Sequence, residues 1–186
     1  MSSAPSPTQT GRIYAIDPAH TSAAFVVRHM MISKVRGHFN AVTGTIELPP
    51  DGNVPVRVEA EIDVASIDTR EPQRDGHLKS ADFFDAENHP KISFRSTRIT
   101  GSEDAFHVHG DLTIRGTTHA VDFEASFEGA AADPYGNQRV GYEANTKISR
   151  KDFGLSWNQA LETGGAVVGD EVRIELTVEA IAQKAS

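Results

Sequence analysis

The sequence contains no cysteine, and this absence limits the chemistry that it can carry. Disulfide bonds, iron–sulfur clusters, thiol catalysis and cysteine-ligated zinc are therefore excluded. Long hydrophobic runs are missing too, because no stretch approaches the ~18 apolar residues that a membrane-spanning helix needs. Neither absence decides the compartment, since a chain without cysteine is compatible with any redox environment.

Basic residues are also scarce, because 18 Lys and Arg stand against 26 Asp and Glu, for a net charge of -8. A phosphate backbone binds a basic surface, so this balance predicts that nucleic acid is not a partner. It also weighs against tight docking onto anionic lipid, although a local basic patch would still allow such docking.

The 186 residues fit one domain of moderate size. The chain starts with MSSAPSPTQTGR, which is rich in Ser, Thr and Pro and has no apolar segment. We interpret residues 1–11 as a disordered leader and residues 12–186 as one folded domain. Because a secretory signal needs an apolar segment, we expect a cytoplasmic protein, or a periplasmic or secreted one if the sequence is a processed form.

What the sequence has in abundance is strict alternation of apolar and polar residues, which predicts antiparallel strands with one buried face. The clearest segments are residues 54–62, 106–114, 121–127, 140–148 and 172–180. Weaker runs near residues 12–17, 22–29, 36–48 and 91–100 bring the total to roughly eight or nine strands. The prediction is therefore an all-β protein.

Two segments break the alternation. Residues 74–85, RDGHLKSADFFD, predict a short helix with Asp75 as its N-cap and with Leu78, Ala81 and Phe83 or Phe84 on its apolar face. Residues 149–170 form a Gly-rich connection that is longer than most loops.

Closure of the strands into a barrel buries their apolar faces and removes exposed edges, and a two-sheet sandwich is the alternative. An eight-stranded barrel is either filled by side chains or wide enough for one ligand. The helix would plug one end of it, or act as a lid.

Catalytic motifs are absent from the sequence, which contains no G-x-S-x-G, P-loop or G-x-G-x-x-G pattern. His107 and His109 share one face of a strand, but it is the polar outer face, and a metal site needs further converging ligands. His20 follows Asp17-Pro18, where a turn role is expected. We predict no enzyme activity, no cofactor and no metal site.

Several strings, in order and at compatible spacing from about Tyr14 to Ile181, carry a family resemblance. They include Tyr14-x-Ile16-Asp17-Pro18-x-His20-Thr21, Val35-Arg36-Gly37-x-Phe39, RDGHLKSADFFD at 74–85, GDLTIRG at 110–116 and SRKDFGLSW at 149–157. With them the chain resembles the YceI-like family of polyisoprenoid-binding proteins. The resemblance implies an extended lipocalin-like antiparallel β-barrel that holds a long-chain isoprenoid, such as a prenyl-quinone precursor or a prenyl phosphate, without catalysis. Many relatives are periplasmic and carry a signal peptide, whereas we expect none here because residues 1–12 contain no apolar segment.

Strand phase predicts the residues that would line such a cavity. They are Phe25, Val27, Phe39, Phe94, Phe106, Val108, Phe123, Phe127, Leu155 and Trp157. Arg28 and Arg95 are candidates for binding an anionic head group at a barrel end, and exposed surface arginines are the alternative interpretation. Two rival functions stay open, namely a packed-barrel structural or stress protein without a lipid ligand, and a His-dependent enzyme on a lipid-like metabolite. We also expect that the chain can form a homodimer.

Overall fold

A computed structural model describes residues 11–184, so residues 1–10 of the expected leader lie outside the described residues. Within this range the chain forms eleven strands and one α-helix, α1, at Pro72–Lys79. The strands are β1 Arg12–Ile16, β2 Ser22–His29, β3 Ser33–Phe39, β4 Val42–Leu48, β5 Arg57–Asp63, β6 Ile67–Asp68, β7 Lys91–Ser102, β8 Ala105–Ile114, β9 Thr117–Ala132, β10 Gln138–Ser149 and β11 Val168–Ala182.

The strands form one closed antiparallel sheet, which confirms the predicted barrel and excludes the sandwich. The order β1-β4-β5-β7-β8-β9-β10-β11 closes on itself because β11 also pairs with β1. One edge of β11 follows β10 along almost its whole length. Its other edge pairs with β2 through residues 168–177 and with β1 through residues 180–182.

Three of the eight rows of the barrel are each built from two strands. β2, β3 and β6 continue the rows of β1, β4 and β5, which is why eleven strands make eight rows. Aspartates cap the turns at two of these breaks: Asp17 accepts a hydrogen bond from the amide of Ala19, and Asp63 accepts one from the amide of Ala65. The breaks therefore cost few unsatisfied backbone groups.

The helix exists as predicted, but it begins and ends earlier than residues 74–85. Glu71 is its N-cap, and its carboxylate accepts from the amides of Gln73 and Arg74, while Pro72 occupies the first turn. The prediction of Asp75 as the N-cap is wrong, because Asp75 lies one turn inside the helix. No helix among residues 11–184 is both long and apolar enough to cross a bilayer.

Gly110 and Gly76 test how tightly the barrel wall packs. A β-carbon added at Gly110 would lie 2.4 Å from the Phe94 ring and 2.5 Å from the carbonyl oxygen of Arg95. One added at Gly76, inside α1, would meet nothing within 4 Å. The two glycines thus make a matched pair for the same substitution.

We expect Gly110→Ala to lower the free energy of unfolding by about 1–3 kcal/mol, because the wall must shift to admit the methyl group. Gly76→Ala should raise it by roughly 0.5–1 kcal/mol, since alanine is the better helix former. Urea denaturation of both variants measures the two changes. Equal stability of Gly110→Ala and the wild type would contradict the tight packing of β7 on β8.

Candidate ligand-binding site

An apolar cavity of about 240 Å³ lies inside the barrel, and all eight rows contribute to its wall. On β11 its wall residues run from Val168 to Val178. At the usual rise of a strand these residues extend roughly 33 Å along β11, and less along the barrel axis because the strands of a barrel are tilted. The cavity wall is therefore elongated along the barrel.

Aromatic rings make up much of the wall and pack mainly edge to face. The ring centroids of Phe94 and Phe123 lie 5.3 Å apart at 82°, and those of Phe39 and Phe84 lie 5.8 Å apart at 84°. The polar residues on the wall are Thr21, Ser93, Tyr142 and Arg150. Such a site binds through contact area and selects its ligand mainly by shape.

Eight of the ten predicted lining residues lie on the cavity wall. They are Phe25, Val27, Phe39, Phe94, Phe106, Val108, Phe123 and Leu155. Phe127 does not, because its ring packs against Tyr142 at 5.6 Å. Trp157 does not either, because it packs against His77 at 4.8 Å and Phe83 at 5.4 Å. Whether the eight wall residues contact a ligand stays a prediction.

One end of the barrel is filled by buried side chains. Tyr142 is buried there, and its hydroxyl donates a 2.7 Å hydrogen bond to the carbonyl of Asn53 in the β4–β5 loop. Burial raises the pKa of this hydroxyl above its ordinary value. Leu48 and Val140 are almost fully buried in the same cluster. This end of the interior is therefore packed.

The other end is covered by the cap, which we define as residues 72–88, comprising α1 and the turns after it. Leu78, Phe83 and Phe84 of the cap lie on the cavity wall. Ala81 was expected beside them but is exposed, because α1 ends at Lys79 and its periodicity ends there too. Phe83 and Phe84 were not among the predicted lining residues, although they belong to a motif that carries the family resemblance.

Thr69, almost fully buried beside α1, ties the cap to the barrel. Its amide and its hydroxyl donate hydrogen bonds of 2.9 Å and 2.6 Å to one oxygen of Asp75. Arg74 donates to the hydroxyl oxygen and to the carbonyl oxygen of Thr69, both at 2.8 Å. The Arg74-Asp75 pair of the motif therefore acts as an anchor.

Arg150 is a buried cation on the cavity wall. It donates hydrogen bonds to the carbonyls of Leu155, Trp157 and Gly169, and Asp170 lies 3.5 Å away. Burial lowers the pKa of its guanidinium from the ordinary value. Arg150 thus holds the long connection before β11 in place, a role that no local sequence signal indicated.

The two head-group candidates lie elsewhere. The side chain of Arg95 is 75% exposed on the outer face of the barrel, 3.4 Å from Glu59. Arg28 is also exposed, on the outer face of β2. Both are surface arginines and neither is on the cavity wall, and their binding of a head group at a barrel end stays a prediction.

His107 and His109 point outward, as the alternation predicted. Both imidazoles contact Asp122, at 3.0 Å and 3.4 Å, on the exposed side of β8 and β9. These residues therefore lie outside the barrel and do not face the cavity.

Asp17, His20 and Glu179 are the one group of three potential metal ligands that converges within residues 11–184. Arg139 forms ion pairs with both carboxylates of this group, because its guanidinium donates to Asp17 at 2.8 Å and to Glu179 at 2.7 Å. Hydrogen bonds from Arg139 and His20 hold the pKa of Asp17 below its ordinary value. The cluster is thus an ion-pair network centred on an arginine.

The YceI-like domain model matches residues 14–180. The chain belongs to the YceI-like family. It is 36% identical over 167 residues to UPF0312 protein SA2479 of Staphylococcus aureus, covering 89% of this chain and 95% of that protein. A Campylobacter jejuni YceI protein has a TM-score of 0.73 and 27% identity, over 84% of this chain and 90% of its own.

A further solved structure, a polyisoprenoid binding domain from Saccharophagus degradans, has a TM-score of 0.69 and 14% identity. The match covers 91% of this chain and 98% of that one. This likeness shows the shared fold. The resemblance read from the sequence motifs is confirmed by the family match.

We expect Thr69→Val to loosen the cap of this YceI-like protein, because valine keeps the amide bond to Asp75 but removes the hydroxyl between Asp75 and Arg74. Leaving these partly buried groups without a partner costs roughly 1–3 kcal/mol. Hydrogen exchange should accelerate in residues 72–88 and stay unchanged in β8 and β9. Unchanged exchange in the cap would contradict the anchoring role of Thr69.

Proposed function

We propose that this YceI-like protein binds and carries a long-chain isoprenoid, a prenyl-quinone precursor or a prenyl phosphate, within the barrel cavity and without catalysis. The observation that carries the proposal is the apolar wall that runs from Val168 to Val178 and draws on every row. A wall of this kind matches a long, flexible hydrocarbon better than a compact polar metabolite.

The energetics favour such a ligand. Each buried CH₂ group contributes about 0.8 kcal/mol, so the part of an isoprenoid tail that enters the cavity is bound through ordinary aromatic and aliphatic side chains. The Saccharophagus degradans domain, which shares the fold, is described as polyisoprenoid binding. Its description supports the same ligand class here.

A carrier role fits the polar groups around the cavity. The hydroxyl of Tyr142 is engaged with Asn53, and the guanidinium of Arg150 is engaged with backbone carbonyls. His107 and His109, the histidines considered for acid–base chemistry, lie on the outer face. These contacts favour binding over catalysis.

The cavity volume favours a ligand-binding barrel over the packed-barrel alternative, since a filled core leaves few voids larger than a water molecule.

The cytoplasmic compartment and the homodimer stay predictions. Subcellular fractionation measures the first directly, and light scattering measures the second.

Two alanines on β9 separate cavity binding from surface adsorption. Ala125 lies on the cavity wall, whereas Ala120 is exposed on the outside of the same strand. We expect Ala125→Phe to weaken binding of a prenyl quinone and a prenyl phosphate by tenfold or more, because the new ring occupies the volume of several methylene groups. Ala120→Phe, the matched control, should bind like the wild type.

Trp157 is the only tryptophan, and its ring contacts Phe83 on the cavity wall. Its fluorescence therefore measures binding as the prenyl quinone or prenyl phosphate is added. Thermal melting of both variants checks that they fold. Binding by Ala125→Phe at wild-type affinity would place the ligand outside the barrel and contradict the proposal.

A further inference from the structure

The turn between β2 and β3 exposes three consecutive apolar residues, which we call the hairpin tip. Met30 is 41% exposed, Met31 52% and Ile32 84%. The other large exposed hydrophobic residues among those described, Ile13, Val56 and Tyr135, lie elsewhere in the sequence and not beside one another. Single exposed apolar residues are normal, whereas an adjacent group of them marks a contact surface.

The backbone of the hairpin tip is unfavourable for these side chains. Met30 and Met31 have φ angles of 51° and 62°, and the amide of Ile32 donates to the carbonyl of His29. Two successive positive φ angles favour Asn-Gly, and methionine adopts them at a cost in local strain. The turn therefore presents apolar side chains where polar ones would fold more easily.

A basic surface adjoins the hairpin tip, on the outer face of strands β10, β11, β2 and β3 and the turn after β10. Six basic and three acidic residues line a shallow groove there, an excess of positive charge in a chain whose net charge is -8. The basic residues, which we call the basic face, are Arg28, Lys34, Arg36, Lys147, Lys151 and Arg173.

The strand register places like charges of the basic face directly opposite each other. Arg28 pairs with Lys34 across β2 and β3, and Lys147 pairs with Arg173 across β10 and β11. Such pairs are destabilising within a sheet. An anionic partner bound to this surface would reduce the repulsion within both pairs.

Acidic neighbours neutralise only part of the basic face. Arg36 pairs with Glu175 at 2.7 Å, Lys147 with Glu171 at 3.3 Å and Lys151 with Asp170 at 3.2 Å. Within residues 11–184, Arg28, Lys34 and Arg173 have no carboxylate oxygen within 4.0 Å. These three charges are available to a ligand outside the barrel.

The hairpin tip and the basic face form one continuous surface at the capped end of the barrel. Met31 itself lines the groove, and its side chain lies beside Gly165 of the connection before β11. The amide of Met30 donates to the carbonyl of Val167. The apolar and the cationic groups are thus held in a fixed relation to each other.

We propose that this surface docks on an anionic lipid bilayer, with the hairpin tip among the lipid chains and the basic face against the head groups. Apolar insertion together with basic residues is the combination that binds a membrane interface. A nucleic acid would use the positive charge but not the exposed tip of two methionines and an isoleucine. The proposal goes beyond isoprenoid binding and does not require an occupied cavity.

Vesicle flotation tests the docking directly. Phosphatidylcholine vesicles that contain phosphatidylglycerol should carry the protein, whereas pure phosphatidylcholine vesicles should carry much less of it. Raising the salt concentration should reduce binding, since head-group attraction falls off within a Debye length.

Two matched charge variants locate the surface. Lys34→Gln with Arg173→Gln should weaken binding on the order of tenfold, because each basic residue near an anionic surface contributes measurably to attraction. Lys91→Gln with Arg98→Gln removes the same charges from exposed positions on β7 and should bind like the wild type. Equal loss in both double variants would show attraction by overall charge and overturn the proposal.

A third variant tests the hairpin tip apart from folding. Met30→Asn, Met31→Gly and Ile32→Ser together should keep or raise thermal stability, because the new residues suit the turn, while vesicle binding falls. Wild-type vesicle binding by this variant would overturn the docking role of the tip. A DNA duplex that displaces the wild-type protein from the vesicles as effectively as added anionic vesicles do would overturn it too. Ala125→Phe should still bind vesicles, so failure of the docking surface and failure of cavity binding are distinguishable.

Discussion

The sheet is closed by β11, and this closure creates the interior of the protein. Every strand has one apolar face, and an open sheet of this length would expose that face along with two unpaired edges. β11 prevents this because one edge pairs with β10 while the other pairs with both β1 and β2. The cavity, its cap and the outer basic face all exist only in the closed arrangement.

The interior is bounded by different means at its two ends. Buried side chains around Tyr142 fill one end, whereas a separate segment anchored at Thr69 covers the other. Arg150 adds a third constraint, because it donates hydrogen bonds to carbonyls of the connection before β11 and to Gly169 at the start of β11. The interior is thus enclosed by packed side chains at one end and by an attached cap at the other.

The alternation of the sequence predicted the strands and eight residues of the cavity wall, because a period of two translates directly into the two faces of a strand. It left a barrel and a sandwich both open, and the family resemblance was what implied the barrel. Contacts between distant residues were not predictable in this way. Asp75 looked like a local N-cap but bonds to Thr69, outside the helix, and Trp157 packs against Phe83 in the cap. The basic face could not be predicted from the net charge of the chain, because its residues come together only when four strands lie side by side.

Native mass spectrometry of gently purified protein, followed by organic extraction, is the most direct test of isoprenoid binding in the barrel. We expect one bound molecule per chain, recovered by extraction as a long-chain isoprenoid. A chain without bound lipid, which also fails to take up added prenyl quinone or prenyl phosphate, would contradict the carrier function and leave a barrel whose cavity serves another purpose.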